Sequence, residues 1–144
     1  MRTRNILITL ISGWLLIAAC DKNNNDDTIP YAYINMVIKP NTTMYLELNV
    51  VGGWTYLDAP HPSRGIIVYR KALDEFMASE RTCPYDPSEP DARVEVETTF
   101  STAVDSCCMS RYLLMDGSPF SGPSNKALLQ YHTSYDGVNL YITN

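Results

Sequence analysis

Prolines and glycines cut this chain into apolar bursts too short for helices. Nine prolines and seven glycines fall within 144 residues. No window of about a dozen residues repeats its apolar side chains at the 3.6-residue helical period. Ten tyrosines tilt the balance further toward strands. Tyr31 to Ile38 reads as a strand ended by Pro40-Asn41. Met44 to Val51 alternates Tyr45, Glu47 and Asn49 with Leu46, Leu48 and Val50, the period of a half-buried strand. After Gly52-Gly53, Trp54 to Leu57 continues as a strand. Gly65 to Arg70 is a continuous apolar burst, so a central strand covered on both faces. Phe76 to Glu80 returns, and Arg93 to Glu97 alternates cleanly. Arg111 to Leu114 and Ala127 to His132 flank a Gly/Pro turn, and Asp136-Gly137 opens a hairpin into Val138 to Thr143. These pieces predict one all-β domain of about ten short strands over residues 30–144, an antiparallel β-sandwich or partly closed barrel.

The first residues read as an address. Met1-Arg2-Thr3-Arg4-Asn5 is basic, Ile6 to Ile17 is apolar, and Ala18-Ala19-Cys20 supplies small residues before an abruptly polar run. The apolar stretch is too short for a bilayer, which needs about 20 residues. Leu16-Ile17-Ala18-Ala19-Cys20 resembles a bacterial lipobox. That likeness implies that residues 1–19 are a lipoprotein signal peptide and that Cys20 becomes the lipidated first residue. Residues 20–29, rich in Asn and Asp, read as a flexible acidic tether. The expected location is the cell envelope, with the chain lipid-anchored to a bacterial membrane and either periplasmic or exposed on the outer-membrane surface. A formal charge of −5 does not suit nucleic acid. No P-loop, Gly-rich dinucleotide turn or Ser-His-Asp arrangement marks an enzyme.

The remaining cysteines fall in two loops. Cys83-Pro84-Tyr85-Asp86 opens a stretch stiffened by Pro84, Pro87 and Pro90. Asp105-Ser106-Cys107-Cys108-Met109-Ser110-Arg111-Tyr112 follows, then the Gly117 turn, Gly122-Pro123 and Leu128 to Tyr131. This order resembles the cluster-binding loops of the Rieske [2Fe–2S] family over roughly residues 50–132. There the first loop reads Cys-x-His and the second Cys-x-Cys-His-Gly-Ser, followed by an aromatic residue and a Gly-Pro turn. On that frame Cys83 keeps the first Cys ligand. Tyr85 stands at the first His, Asp105 at the second Cys and Cys108 at the second His. Cys107 matches the non-ligand Cys, whose disulfide partner in the family would fall on Ser88. A Rieske centre takes two thiolates and two imidazoles, and His61 and His132 lie outside both loops. The resemblance therefore implies a Rieske-like fold with vestigial ligand positions and no cofactor, a bound [2Fe–2S] cluster being the alternative.

With Cys20 lipidated, three thiols remain in an oxidising compartment. Cys107 and Cys108 are adjacent and poorly placed to bond each other, their Cα atoms lying ~3.8 Å apart. The simplest outcome joins Cys83 to one of them, and the family frame favours Cys108, a second ligand position facing the vacated space. Closing about 25 residues would contribute roughly 3 kcal/mol. Zinc held by Cys83, Cys107, Cys108 and either Asp105 or Asp86 is another outcome. The sequence thus predicts an envelope lipoprotein with a structural or binding role toward an unknown envelope protein or ligand. The alternatives are an electron-transfer protein with a [2Fe–2S] cluster, and a thiol-redox or zinc protein.

Overall fold

The computed structural model describes residues 28–99 and 101–144. The expected signal peptide, Cys20 and most of the expected tether lie outside the described residues. The remainder is all-β. Six strands form a curled antiparallel sheet, a half-barrel, and four more form a second antiparallel sheet. The larger sheet holds β1 (Asn35–Ile38), β10 (Leu140–Thr143), β9 (Gln130–Tyr135), β4 (Glu75–Glu80), β3 (Ile66–Ala72) and β2 (Trp54–Leu57), in that order across the sheet. The smaller runs β5 (Val94–Val96), β6 (Thr102–Asp105), β7 (Arg111–Leu113) and β8 (Pro119–Ser121).

The chain leaves the large sheet at the end of β4 and re-enters it at β9, and these two strands pair directly, Ala78 with Tyr131 and Ser79 with Gln130. Everything between is an excursion carrying the small sheet and both cysteine loops. Its neck is fastened by Glu80 N–H donating to Leu129 O at 2.8 Å and by the Thr82–Arg93 bridge.

Two cores follow from this layout, and β3 lies between them. Ile66 and Val68 face the interior of the half-barrel with Leu48, Ala78, Leu140 and Ile142. Ile67 faces the other way and packs with Cys83, Val94, Ala103, Tyr112 and Leu128 under the small sheet. A strand buried on both faces needs a continuous apolar run rather than alternation, which is why Ile66-Ile67-Val68 reads as it does.

One expected strand is absent. Residues Thr43–Asn49 form a 3-10 helix kinked at Tyr45. Leu48 is its buried residue, while Leu46 and Val50 face solvent, so the alternation has a single inward anchor. Two contacts hold the turn form. Arg70, itself buried, donates to Leu48 O at 2.7 Å. Gly53 lies so close to Glu47 O that a Cβ there would stand 1.6 Å from it. Tyr31 to Ile38 is extended as expected, with Ala32, Ile34 and Ile38 inward, but only Asn35–Ile38 pairs as strand. The Asp136-Gly137 hairpin forms, with Asp136 Oδ1 accepting from the N–H groups of Val138 and Asn139.

Candidate functional site

The first loop begins where Cys83 N–H donates to Ala92 O at 3.0 Å, closing the Pro-rich stretch into a compact lobe. Arg64 braces the lobe from outside, donating to the carbonyls of Pro87 and Ala92. The second loop is the tight connection from β6 to β7. Asp105 N–H donates to Ser110 O at 3.0 Å, and Met109 N–H returns to Asp105 O at 2.8 Å. Met109 adopts φ +62°, a left-handed conformation that costs a non-glycine residue energy. Asp105 Oδ1 accepts the Cys107 N–H at 2.9 Å, an Asx turn that sets the start of the loop.

These loops bring together three of the four residues that the Rieske frame marks. Ligand atoms of Cys83, Asp105 and Cys108 all lie within 4.8 Å of one another. The two sulfurs are 3.7 Å apart, and Cys108 Sγ lies 3.2 Å from Asp105 Oδ2. Cys83 and Asp105 are fully buried, whereas Cys108 is half-buried. Tyr85, the fourth marked position, is partly buried and packs against the core of the small sheet. Asp86 and Cys107 lie outside the group. The expected disulfide from Cys83 is not formed: Cys83 and Cys108 are both free thiols. The two sulfurs touch without bonding, 3.7 Å apart against the ~2.05 Å of a disulfide.

Hydroxyls and backbone groups surround the thiols. Tyr112 OH lies 3.2 Å from Cys83 Sγ, and Ser110 Oγ lies 3.1 Å from Cys108 Sγ. Ser110 Oγ also accepts the Ser124 N–H at 3.0 Å, which ties the turn after Gly122-Pro123 to the second loop. Each sulfur is further met by the backbone N–H two residues on, that of Tyr85 for Cys83 and that of Ser110 for Cys108. Burial pushes both thiols up, most strongly Cys83, and the Asp105 carboxylate adds to the shift. The N–H and hydroxyl donors act in the opposite direction. Burial and the adjoining Cys83 likewise raise the Tyr112 phenol.

The sequence reading missed Ser110, Tyr112 and Ser124 as parts of the site. Ser110, Tyr112 and Leu114 occupy the inward face of β7 and its flanks, all buried, and a period of two over these residues is the signal that finds them. Gly122 matters for a different reason. At φ +90° it passes so near the second loop that a Cβ would meet Ser110 Cα at 2.5 Å and Met109 O at 2.7 Å. Gly122→Ala is therefore expected to cost on the order of 2 kcal/mol or more. It should also loosen Cys108. The check is a denaturation midpoint together with the rate at which a thiol reagent modifies Cys108, which should rise.

No family model matches this chain, and no curated protein matches it either. Among the described residues, no helix is long and apolar enough to cross a membrane.

Proposed function

We propose that this chain is a cell-envelope lipoprotein anchored through Cys20, whose Rieske-like domain carries no cluster and serves a structural or binding role toward an envelope partner. The observation that carries the cluster-free reading is the donor set. The Rieske frame leads to Cys83, Asp105 and Cys108, which do converge, but no imidazole joins them. His61 lies exposed in the loop before β3, and His132 is an exposed residue of β9. A Rieske centre holds one iron by two imidazoles, so these residues do not fit it. The convergence of both cysteine loops, followed by a Gly-Pro turn that packs on the second, supports the Rieske-like reading of the scaffold.

Two free thiols side by side favour the thiol or zinc alternative over the electron-transfer one. The test is composition and colour. The chain purified aerobically from iron-replete cells should be colourless and contain far less than one iron and one acid-labile sulfide per chain. Two irons and two sulfides with a visible charge-transfer band would reverse the reading in favour of electron transfer.

A further inference from the structure

We infer that Cys83, Cys108 and Asp105 bind one soft divalent cation of the zinc class, leaving a fourth position to an outside donor. The inference rests on the cluster-free reading above.

Three carboxylates are buried among the described residues, Glu80, Asp86 and Asp105, and the two deepest, Glu80 and Asp105, sit in contrasting settings. Glu80 accepts five hydrogen bonds, from Ser63 Oγ, Arg64 N–H, Thr82 N–H, Thr82 Oγ1 and Tyr131 OH. Its charge is fully accommodated by strong donors. Asp105 is fully buried and, among the described residues, has one such donor, the Cys107 N–H on Oδ1. Its other oxygen faces the thiol of Cys108, with the Cys83 thiol alongside, and thiols are weak donors. None of the ion pairs among the described residues reaches Asp105. Buried carboxylates are ordinarily paired, well hydrogen-bonded or bound to metal, and the first two are poorly met here.

The distances suit a tetrahedral cation. Zn–S bonds of ~2.3 Å at the tetrahedral angle place two sulfurs about 3.8 Å apart, against 3.7 Å here. A Zn–O bond of ~2.0 Å sets sulfur and oxygen about 3.5 Å apart, against 3.2 Å for Cys108 Sγ and Asp105 Oδ2. The surrounding donors also suit thiolates. The Tyr85 and Ser110 N–H groups, one for each sulfur, would hold thiolate charge in place, as would the hydroxyls of Tyr112 and Ser110. Binding releases two protons, one from each thiol, so affinity should fall as pH falls. Two thiolates and a carboxylate select zinc-class ions over magnesium or calcium. Three protein ligands leave one position open, on the side where Cys108 is half exposed.

The test uses the full chain, purified in mild detergent under reductant, stripped with a chelator and titrated with cobalt(II). The expected result is saturation at one cobalt per chain, with a near-ultraviolet sulfur-to-cobalt charge-transfer band and visible bands of a tetrahedral ion. Zinc should displace the cobalt. Cys108→Ser, at a half-exposed position, should weaken binding by tenfold or more and diminish the charge-transfer band. Ser110→Ala should weaken binding about tenfold, and Cys107→Ser should leave the band in place. A measurement on the unaltered chain covers any variant that fails to fold: zinc should protect Cys108, the half-exposed thiol, from alkylation, mapped by mass spectrometry, until a chelator is added. Absence of a saturable cobalt band in protein with a native circular-dichroism spectrum would overturn the inference. So would an undiminished band in folded Cys108→Ser, or alkylation of Cys108 indifferent to zinc. A colourless chain that binds no cobalt refutes only this inference, whereas native iron and sulfide would refute the cluster-free reading beneath it.

Discussion

Replacing Glu80 by alanine is expected to destabilise the domain by on the order of 3 kcal/mol, lowering the melting temperature by roughly 10 °C. Glu80 stands at the neck where the small sheet leaves the large one. Its carboxylate ties the loop before β3, through Ser63 and Arg64, to β9 through Tyr131 and to the start of the excursion through Thr82. Truncation leaves several buried donors without an acceptor, and the cost of unpaired buried donors exceeds the worth of the bonds lost. Glu80→Gln keeps the shape but turns a donor toward donors, so it should fall between wild type and alanine. The same group contributes to acid behaviour. Burial raises its pKa, but the hydrogen bonds from Ser63, Tyr131, Arg64 and Thr82 together hold it below the usual carboxylate range. The folded value lies below the unfolded one, so this stabilisation is present above about pH 4.3 and is lost as pH falls through the folded pKa. Urea midpoints measured from pH 7 downward should show an acid-induced loss in the wild type that is smaller in Glu80→Gln. Equal midpoints for all three proteins at pH 7 would contradict the role given to the neck.

Cys20→Ser should move the protein from the membrane fraction to the soluble fraction almost completely. A thioether-linked diacylglycerol and a further acyl chain bury many methylenes, each worth about 0.8 kcal/mol. No helix among the described residues is long and apolar enough to replace that anchor. Labelled palmitate should enter the wild type and not the variant. A variant as firmly membrane-bound as the wild type would refute the lipobox reading of Leu16 to Cys20.

The strands that were legible in the sequence are those whose apolar residues carry the pattern. Trp54–Leu57 emerges with the boundaries read from the sequence, and the Gly65 to Arg70 burst is the doubly covered β3. Thr102–Asp105 was not legible because its inward residues are Ala103 and Asp105, one small and one charged, which mimic a loop. Pro119–Ser121 hid behind its own proline, which an edge strand tolerates. Met44 to Val51 misled for the opposite reason. Its alternation is real, but no neighbouring strand pairs with it, and only Leu48 is buried. The two cysteine loops were visible as motifs, and the resemblance to the Rieske loops linked Cys83, Asp105 and Cys108. What the resemblance could not give was the depth of Asp105, the withdrawal of Tyr85 into packing, or the presence of Ser110 and Tyr112 beside the thiols. Those depend on the closure of the excursion at Glu80, a contact between residues 51 positions apart in the chain.

The most direct test of the site itself is the proximity of its two thiols. The full chain, reduced and metal-free, should form an intramolecular Cys83–Cys108 disulfide on brief treatment with diamide, because the sulfurs need close only from 3.7 Å. Peptide mapping without reduction should recover that linkage as the dominant product, and reductant should reverse it. Recovery of Cys83 joined chiefly to Cys107, or of Cys83 and Cys108 oxidised independently, would contradict the convergence of the two loops.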